Sequence, residues 1–336
     1  MAALSGCSSA GYYWQAASGH LGVLRKQVPI ETAINSPETS PALREKLRHV
    51  LAIRQFAKNE LHLPVGDHYS RYADLQRRYV VWTVHAAPEF SLEAHTWWYP
   101  LVGRLKYRGY FLEKEARALA ATMTTQGMDA SVSGVEAYST LGLLKDPVLS
   151  TFTHHLPANL AEILFHELTH QKLFISGDTD FNEAFAVAVA QEGVRRWLRR
   201  HGAPGDYESY EADLKKERRF NTLVQNTLQS LGELYASSAT ESVETRRQLK
   251  QSRIQRMKEA HEALRSEWGG TSPYDPWFTK PINNARLNTV TTYHELVPGF
   301  HRLMEQEGGD LDRLFLRVKA LGRLPPAARR RALSSP

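Results

Sequence analysis

With one cysteine in 336 residues, the chain cannot form an internal disulfide framework or a multi-cysteine zinc or iron–sulfur site. It lacks any apolar run of about 18 to 20 residues, so no segment is suited to crossing a bilayer as a helix. It also lacks zinc-finger spacing and any interleaving of aromatic and basic residues that would read nucleic acid. The net charge of +6 is dispersed, and the densest basic run, Arg329-Arg330-Arg331, lies in a Pro- and Ala-flanked tail. That charge is expected to be solvated surface, with no nucleic-acid partner. There is no internal repeat, and proline is missing from Tyr207 to Glu267. What remains, 42% hydrophobic and 23% charged residues, suffices to bury a core in one large or two smaller domains.

The position of the lone cysteine is informative. Leu4-Ser5-Gly6-Cys7 resembles the lipobox of bacterial lipoproteins, in which the cysteine becomes the lipidated first residue, and Ser8-Ser9-Ala10-Gly11 would serve as a tether. Only six residues precede Cys7, too few for the charged and apolar regions of a signal peptide. A longer natural start implies a lipid-anchored protein of the bacterial cell envelope facing the periplasm; an authentic short start leaves cytoplasmic residence and a free thiol.

Residues 1–35 read as a tether followed by an irregular segment, and 36–330 as the main domain. Ser40 and Pro41 form an N-cap and first helical position, with Leu43, Leu47, Val50, Leu51 and Phe56 recurring at helical intervals. Stretches rich in Val, Thr, Tyr and Trp predict strands at Tyr79–Val84, Thr96–Leu105 and Ala130–Leu141, with a connecting helix over Leu112–Met123. A small mixed sheet thus occupies about 79–141. Two helices follow over about 159–200, the first opened by an Asn159/Glu162 capping box and ended by Gly177, the second capped by Thr179 or Asp180. The charged, periodic block over about 207–267 predicts paired long helices broken near Ala236-Ser237-Ser238, and terminal helices fall within about 282–321.

The chemistry lies on the middle pair of helices. In His166-Glu167-Leu168-Thr169-His170 the histidines are four positions apart, so both imidazoles project from one helical face, and Glu167 lies beside them. Glu183, in Asn182-Glu183-Ala184-Phe185-Ala186, lies near the start of the next helix, and a short connection makes the two helices neighbours. Three protein ligands and an open position are what a catalytic zinc requires, whereas a structural zinc takes four. The spacing therefore predicts one Zn2+ held by His166, His170 and Glu183, with Glu167 as general base and acid. Tyr293-His294-Glu295-Leu296-Val297-Pro298 begins like this motif but has Pro298 in place of a second histidine. Its helix could supply an oxyanion donor, Tyr293 first and His294 second, with ordinary core packing as the alternative. His154-His155 reads as loop surface, and His62, His68, His85 and His95 need no special role.

These motifs resemble the gluzincin metallopeptidases, and the Asn-Glu-Ala-Phe-Ala setting is similar to that of the alanyl-aminopeptidase branch. The shorter interval to the glutamate, the Leu-Ser-Gly-Cys start, the run from Gly134 to Gly142 and Asn283-Asn284-Ala285-Arg286-Leu287 look more like a bacterial family of zinc aminopeptidases, often lipoproteins. The resemblance covers nearly the whole chain. It implies a helix-rich α+β fold of the zincin, gluzincin-like type, with a peptide substrate. In the alanyl-aminopeptidase branch a strand glutamate holds the substrate's free amine; Glu136 in Gly134-Val135-Glu136-Ala137 stands in a similar place, the alternative being an exposed strand carboxylate. Val187 stands four residues after Glu183, where thermolysin-like enzymes carry an aspartate that orients a ligand histidine. Two other functions share the motifs: a zinc endopeptidase using the same site, and a non-catalytic, zinc-stabilised envelope protein whose long helices bind a partner.

Overall fold

The computed structural model describes residues 4–100, 103–137 and 145–334, without the side chains of residues 4–10 and 291–294. The N-terminal part runs α1 (Leu4–Arg25), β1 (Gln27–Pro29), α2 (Ile30–Asn35) and α3 (Pro41–Asn59). Where an irregular segment was expected, α1 is helical, and its aromatic face meets the sheet: Tyr12 packs edge-on against Tyr110 at 5.5 Å, and Gln15 exchanges hydrogen bonds with Gly109 and Phe111. Tertiary contact thus orders a stretch with little periodicity of its own. In α3 the expected cap is present, the Leu43 N–H donating to Ser40 Oγ.

Among the described residues there are eight short strands. They are β1, β2 (Arg71–Ala73), β3 (Val81–Pro88), β4 (Trp97–Tyr99), β5 (Gly103–Leu105), β6 (Arg108–Tyr110), then, after α4 (Glu113–Thr125), β7 (Met128–Val135) and β8 (Val148–Leu149). The stretch Thr96–Leu105 divides into the antiparallel pair β4 and β5. β3 is central to an antiparallel sheet of order β6-β3-β7, pairing with β7 from Val81↔Val135 to Pro88↔Met128. A second sheet, β1-β2-β8, contains the one parallel pairing found among the described residues, β2 with β8.

The rest is helical: α5 (Pro157–Lys172), α6 (Thr179–His201), α7 (Asp206–Ser237), α8 (Val243–Glu267), α9 (Asp275–Phe278), α10 (Asn284–His294), α11 (Val297–Gln306), α12 (Leu311–Leu321) and α13 (Pro326–Ser334). The start of α5 departs from expectation. Pro157 occupies the first turn, where its missing N–H costs nothing, so the helix begins before Asn159 and no capping box forms. At the other end α5 stops at Lys172, ahead of Gly177, whose φ of +79° bends the connecting turn. The next helix is capped by Asp178, whose side chain accepts from the Phe181 N–H.

The main core joins α3, α5, α6, α11 and α12 through residues such as Leu47, Ile53, Leu164, Phe165, Phe185, Phe300 and Leu314. Close approach of α5 to α6 requires Gly193, because a Cβ there would lie 2.6 Å from the Phe165 ring. A second cluster under α7 and α8 contains Phe220, Val224, Leu231, Ile254 and Met257. The basic tail is also ordered rather than wholly solvated. Arg329 is buried against Phe181 and pairs with Asp178 at 2.9 Å, and Arg330 pairs with Asp180 and Glu295. Both arginines therefore clamp the first turn of α6. Among the described residues no helix is long and apolar enough to cross a membrane.

Candidate functional site

Helical spacing brings His166 and His170 to one face of α5, and the turn into α6 brings Glu183 against them. Asn182 fixes that turn: its side chain accepts from the Ile175 N–H and donates to the Ile175 carbonyl, both at 2.8 Å. Next to it, Glu183 Oε2 lies 3.1 Å from His166 Nε2 and 3.4 Å from His170 Nε2, while the two Nε2 atoms are 3.1 Å apart. Donors around a tetrahedral ion at 2.0–2.1 Å are spaced by about 3.3 Å, so the three atoms fit one cation. The donor set argues the same way. Each Nε2 carries at most one hydrogen, and two protons cannot satisfy all three contacts as well as a shared cation does. These residues form a group that can hold a metal ion.

The electrostatics are those of a site poised for positive charge. Burial alone would raise the Glu183 carboxyl, but the His170 and His166 imidazoles hold it far below the usual carboxylate range. Burial disfavours charge on His170, and Glu183 more than offsets it, leaving the imidazole raised. Glu167 behaves differently: burial pushes its carboxyl up despite the neighbouring histidines. His170 Nδ1 is buried with no hydrogen-bond partner, and the position of a helper carboxylate is taken by Val187, packed at the edge of the core. Support behind α5 comes instead through Gln171, which donates to Asp146 Oδ2 at 3.3 Å and meets His68 Nδ1 at 3.1 Å. His68 thus has a place beside the site that its scattered sequence position concealed.

These side chains line a cavity of about 760 Å³, together with the end of β7 and the residues after it (Gly134 to Ala137), Glu162 and the tyrosines Tyr12, Tyr79, Tyr99 and Tyr107. Gly134 admits the Tyr79 ring, since a Cβ would lie 2.3 Å from it. Tyr107 was not singled out by the sequence. Its hydroxyl is raised by burial and then by the charges of Glu183 and Glu167, which it faces. Its placement rests on Lys106, whose ammonium donates to both oxygens of Asp180 at 2.7 Å and so ties the loop before β6 to the first turn of α6. The signal was a lysine-tyrosine pair between two short strands, too slight to read alone.

Glu136 also reaches this cavity, directly after β7, which is an edge strand. Its carboxylate meets His155 Nε2 at 2.6 Å, so His155 is more than loop surface. Tyr293 and His294 lie on α10, which packs against α6, but their side chains fall outside those described. Tyr138 to Gly142 also lie outside the described residues.

Comparison with known proteins gives a single assignment. The model of a family described as "Putative aminopeptidase" matches residues 11–333. No curated protein and no solved structure matches the chain.

Proposed function

The chain belongs to that aminopeptidase family, and from this premise we propose that it is a zinc-dependent aminopeptidase of the zincin type. The observation that carries the reading is the convergence of His166, His170 and Glu183 within 3.1–3.4 Å in a cavity shared with Glu167. Zinc held there supplies Lewis-acid polarisation of the scissile carbonyl and makes water acidic enough to be deprotonated near neutrality.

The chain's own residues do the rest. Glu167, kept basic enough by burial, takes a proton from the attacking water and delivers it to the departing amine. Tyr107 donates its hydroxyl to the carbonyl oxygen as negative charge develops there, and its raised proton affinity keeps it a donor across the neutral range. Tyr293, on α10, is the second tyrosine assigned to that role. The edge of β7 near Gly134 and Val135, outermost in its sheet among the described strands, pairs with the extended peptide, and Glu136 just beyond it receives the N-terminal ammonium. Burial would raise the Glu136 carboxyl, but His155 lowers it on balance, so it is a carboxylate at neutral pH and complements a cation. Lipidation of Cys7, with an envelope location, belongs to the same proposal and is supported by the Leu4-Ser5-Gly6-Cys7 motif.

Matched peptides with free and N-acetylated termini test the assignment. Free peptides should be cleaved one residue at a time, chelator should abolish cleavage, and acetylation should block it. Equal cleavage of the acetylated series would make the chain an endopeptidase at the same centre.

A further inference from the structure

A second cluster of metal-ligating side chains stands apart from the centre just described. The loop between β8 and α5 presents His154 and His155 to the carboxylate of Glu136. His155 Nε2 lies 2.6 Å from Oε2, and His154 Nε2 lies 3.8 Å from Oε1. The two rings lie side by side, centroids 4.1 Å apart and tilted by 34°. A divalent cation among the three donors would satisfy both imidazoles in their neutral form and balance the carboxylate.

The backbone presenting these groups is well tied down. Thr151 Oγ1 donates to the Glu136 carbonyl at 2.5 Å, joining the loop to the end of β7. Lys46 on α3 donates to the His155 carbonyl at 2.7 Å, and the His155 N–H closes onto Phe152 O at 3.3 Å. Pro157 then starts α5. One ligand atom from each of the three residues lies within 4.8 Å of the others, close enough for one cation to gather them.

We propose that Glu136, His154 and His155 form a second divalent transition-metal site at the rim of the cleft. Imidazole and carboxylate donors suit zinc, nickel or copper and disfavour magnesium and calcium, which take all-oxygen shells. The site is separate from the deep one. The two groups share no residue, and the rim histidines stand on the loop before α5 while the deep ones stand on the helix itself. It is more open: side-chain exposure is 59% at His154, 29% at His155 and 23% at Glu136, against 17%, 7% and 12% at His166, His170 and Glu183. Its cation therefore exchanges readily. A kinetic consequence, which rests on Glu136 receiving the substrate's ammonium, is that excess metal competes with the peptide's N-terminus for one carboxylate.

The test is equilibrium dialysis of the metal-stripped full chain against zinc, with metal content measured. The wild type should bind a tight and a weaker equivalent. His154→Ala/His155→Ala, and separately Glu136→Gln, should lose the weaker and keep the tight one. His170→Ala should lose the tight equivalent and keep the weaker. Saturation of the wild type at one zinc, or an unchanged weaker equivalent in both rim variants, would overturn the site. Because metal content is read without turnover, two bound zincs in a chain that cleaves no peptide would count against the proposed function alone. In an active chain, micromolar excess zinc should raise KM for free peptides several-fold with kcat unchanged, and His154→Ala/His155→Ala should abolish that rise.

Discussion

The cleft holds two clusters of identical composition, two histidines and a glutamate, built on different backbones. In the deep one the histidines are one helical turn apart on α5, and the carboxylate comes from a neighbouring helix pinned by Asn182 and Asp178. In the rim one the histidines are consecutive on a loop, and the carboxylate ends an edge strand. Helical spacing fixes both deep imidazoles before any ligand arrives, whereas the rim rings are placed by a loop, by the His155–Glu136 contact and by their packing on each other. The difference teaches that donor type sets which ion is welcome, while backbone and burial set how tightly it is kept. Around the deep cluster lie the groups chemistry needs, a half-buried acid in Glu167 and a half-buried phenol in Tyr107.

That contrast can be sharpened first at Tyr107. Replacing it with Phe should lower kcat by about 10² to 10³, the usual cost of one oxyanion donor, while KM and tight zinc stay near wild type. An unchanged kcat would move the role to another donor, with Tyr293 next.

A smaller effect concerns the cost of burying acids beside the deep cluster. Glu162, one turn before His166 on α5, and Glu217 on α7 are each pushed up to about 7, chiefly by burial, with Glu217 adding its charge against Glu162. Gln191 on α6 donates to Glu217 Oε2 at 3.2 Å and accepts from His301 on α11, whose pKa burial lowers to about 4, so the histidine is a neutral donor. Because these carboxyls bind protons more tightly folded than unfolded, their stabilising contribution is complete below about pH 4.5 and is lost as pH rises through about 7. Glu162→Gln removes an ionisation the fold resists. Its melting temperature should exceed that of the wild type by a few degrees at pH 8 and match it near pH 5. An equal shift at both pH values would show that the carboxyl ionises freely.

Much of the deep centre was legible in the sequence because its geometry is local. Four-residue spacing on a helix puts two imidazoles on one face whatever the tertiary fold, and the short turn to Asn182-Glu183 left few places for the carboxylate. The cap at Ser40 was readable for the same reason. What stayed hidden depends on contacts distant in sequence. Tyr107 reaches the site through Lys106 and Asp180, 74 residues apart. Arg329 and Arg330 read as solvated charge but close onto the start of α6. His155 finds Glu136, 19 positions earlier in the sequence. The N-terminal helix α1 has no strong periodicity and is ordered where Tyr12 and Gln15 meet the sheet. The misplaced start of α5 was a local misreading, in which Pro157 outweighed the Asn159/Glu162 pair.

The account turns on Glu167 serving a metal centre at His166, His170 and Glu183, and one variant tests this directly. Zinc content and steady-state turnover should be measured together for Glu167→Gln, which keeps the side chain's shape and removes its basicity. The account predicts a tight zinc equivalent equal to wild type with kcat reduced by about 10² to 10⁴. Wild-type turnover in a variant that retains its zinc would contradict it.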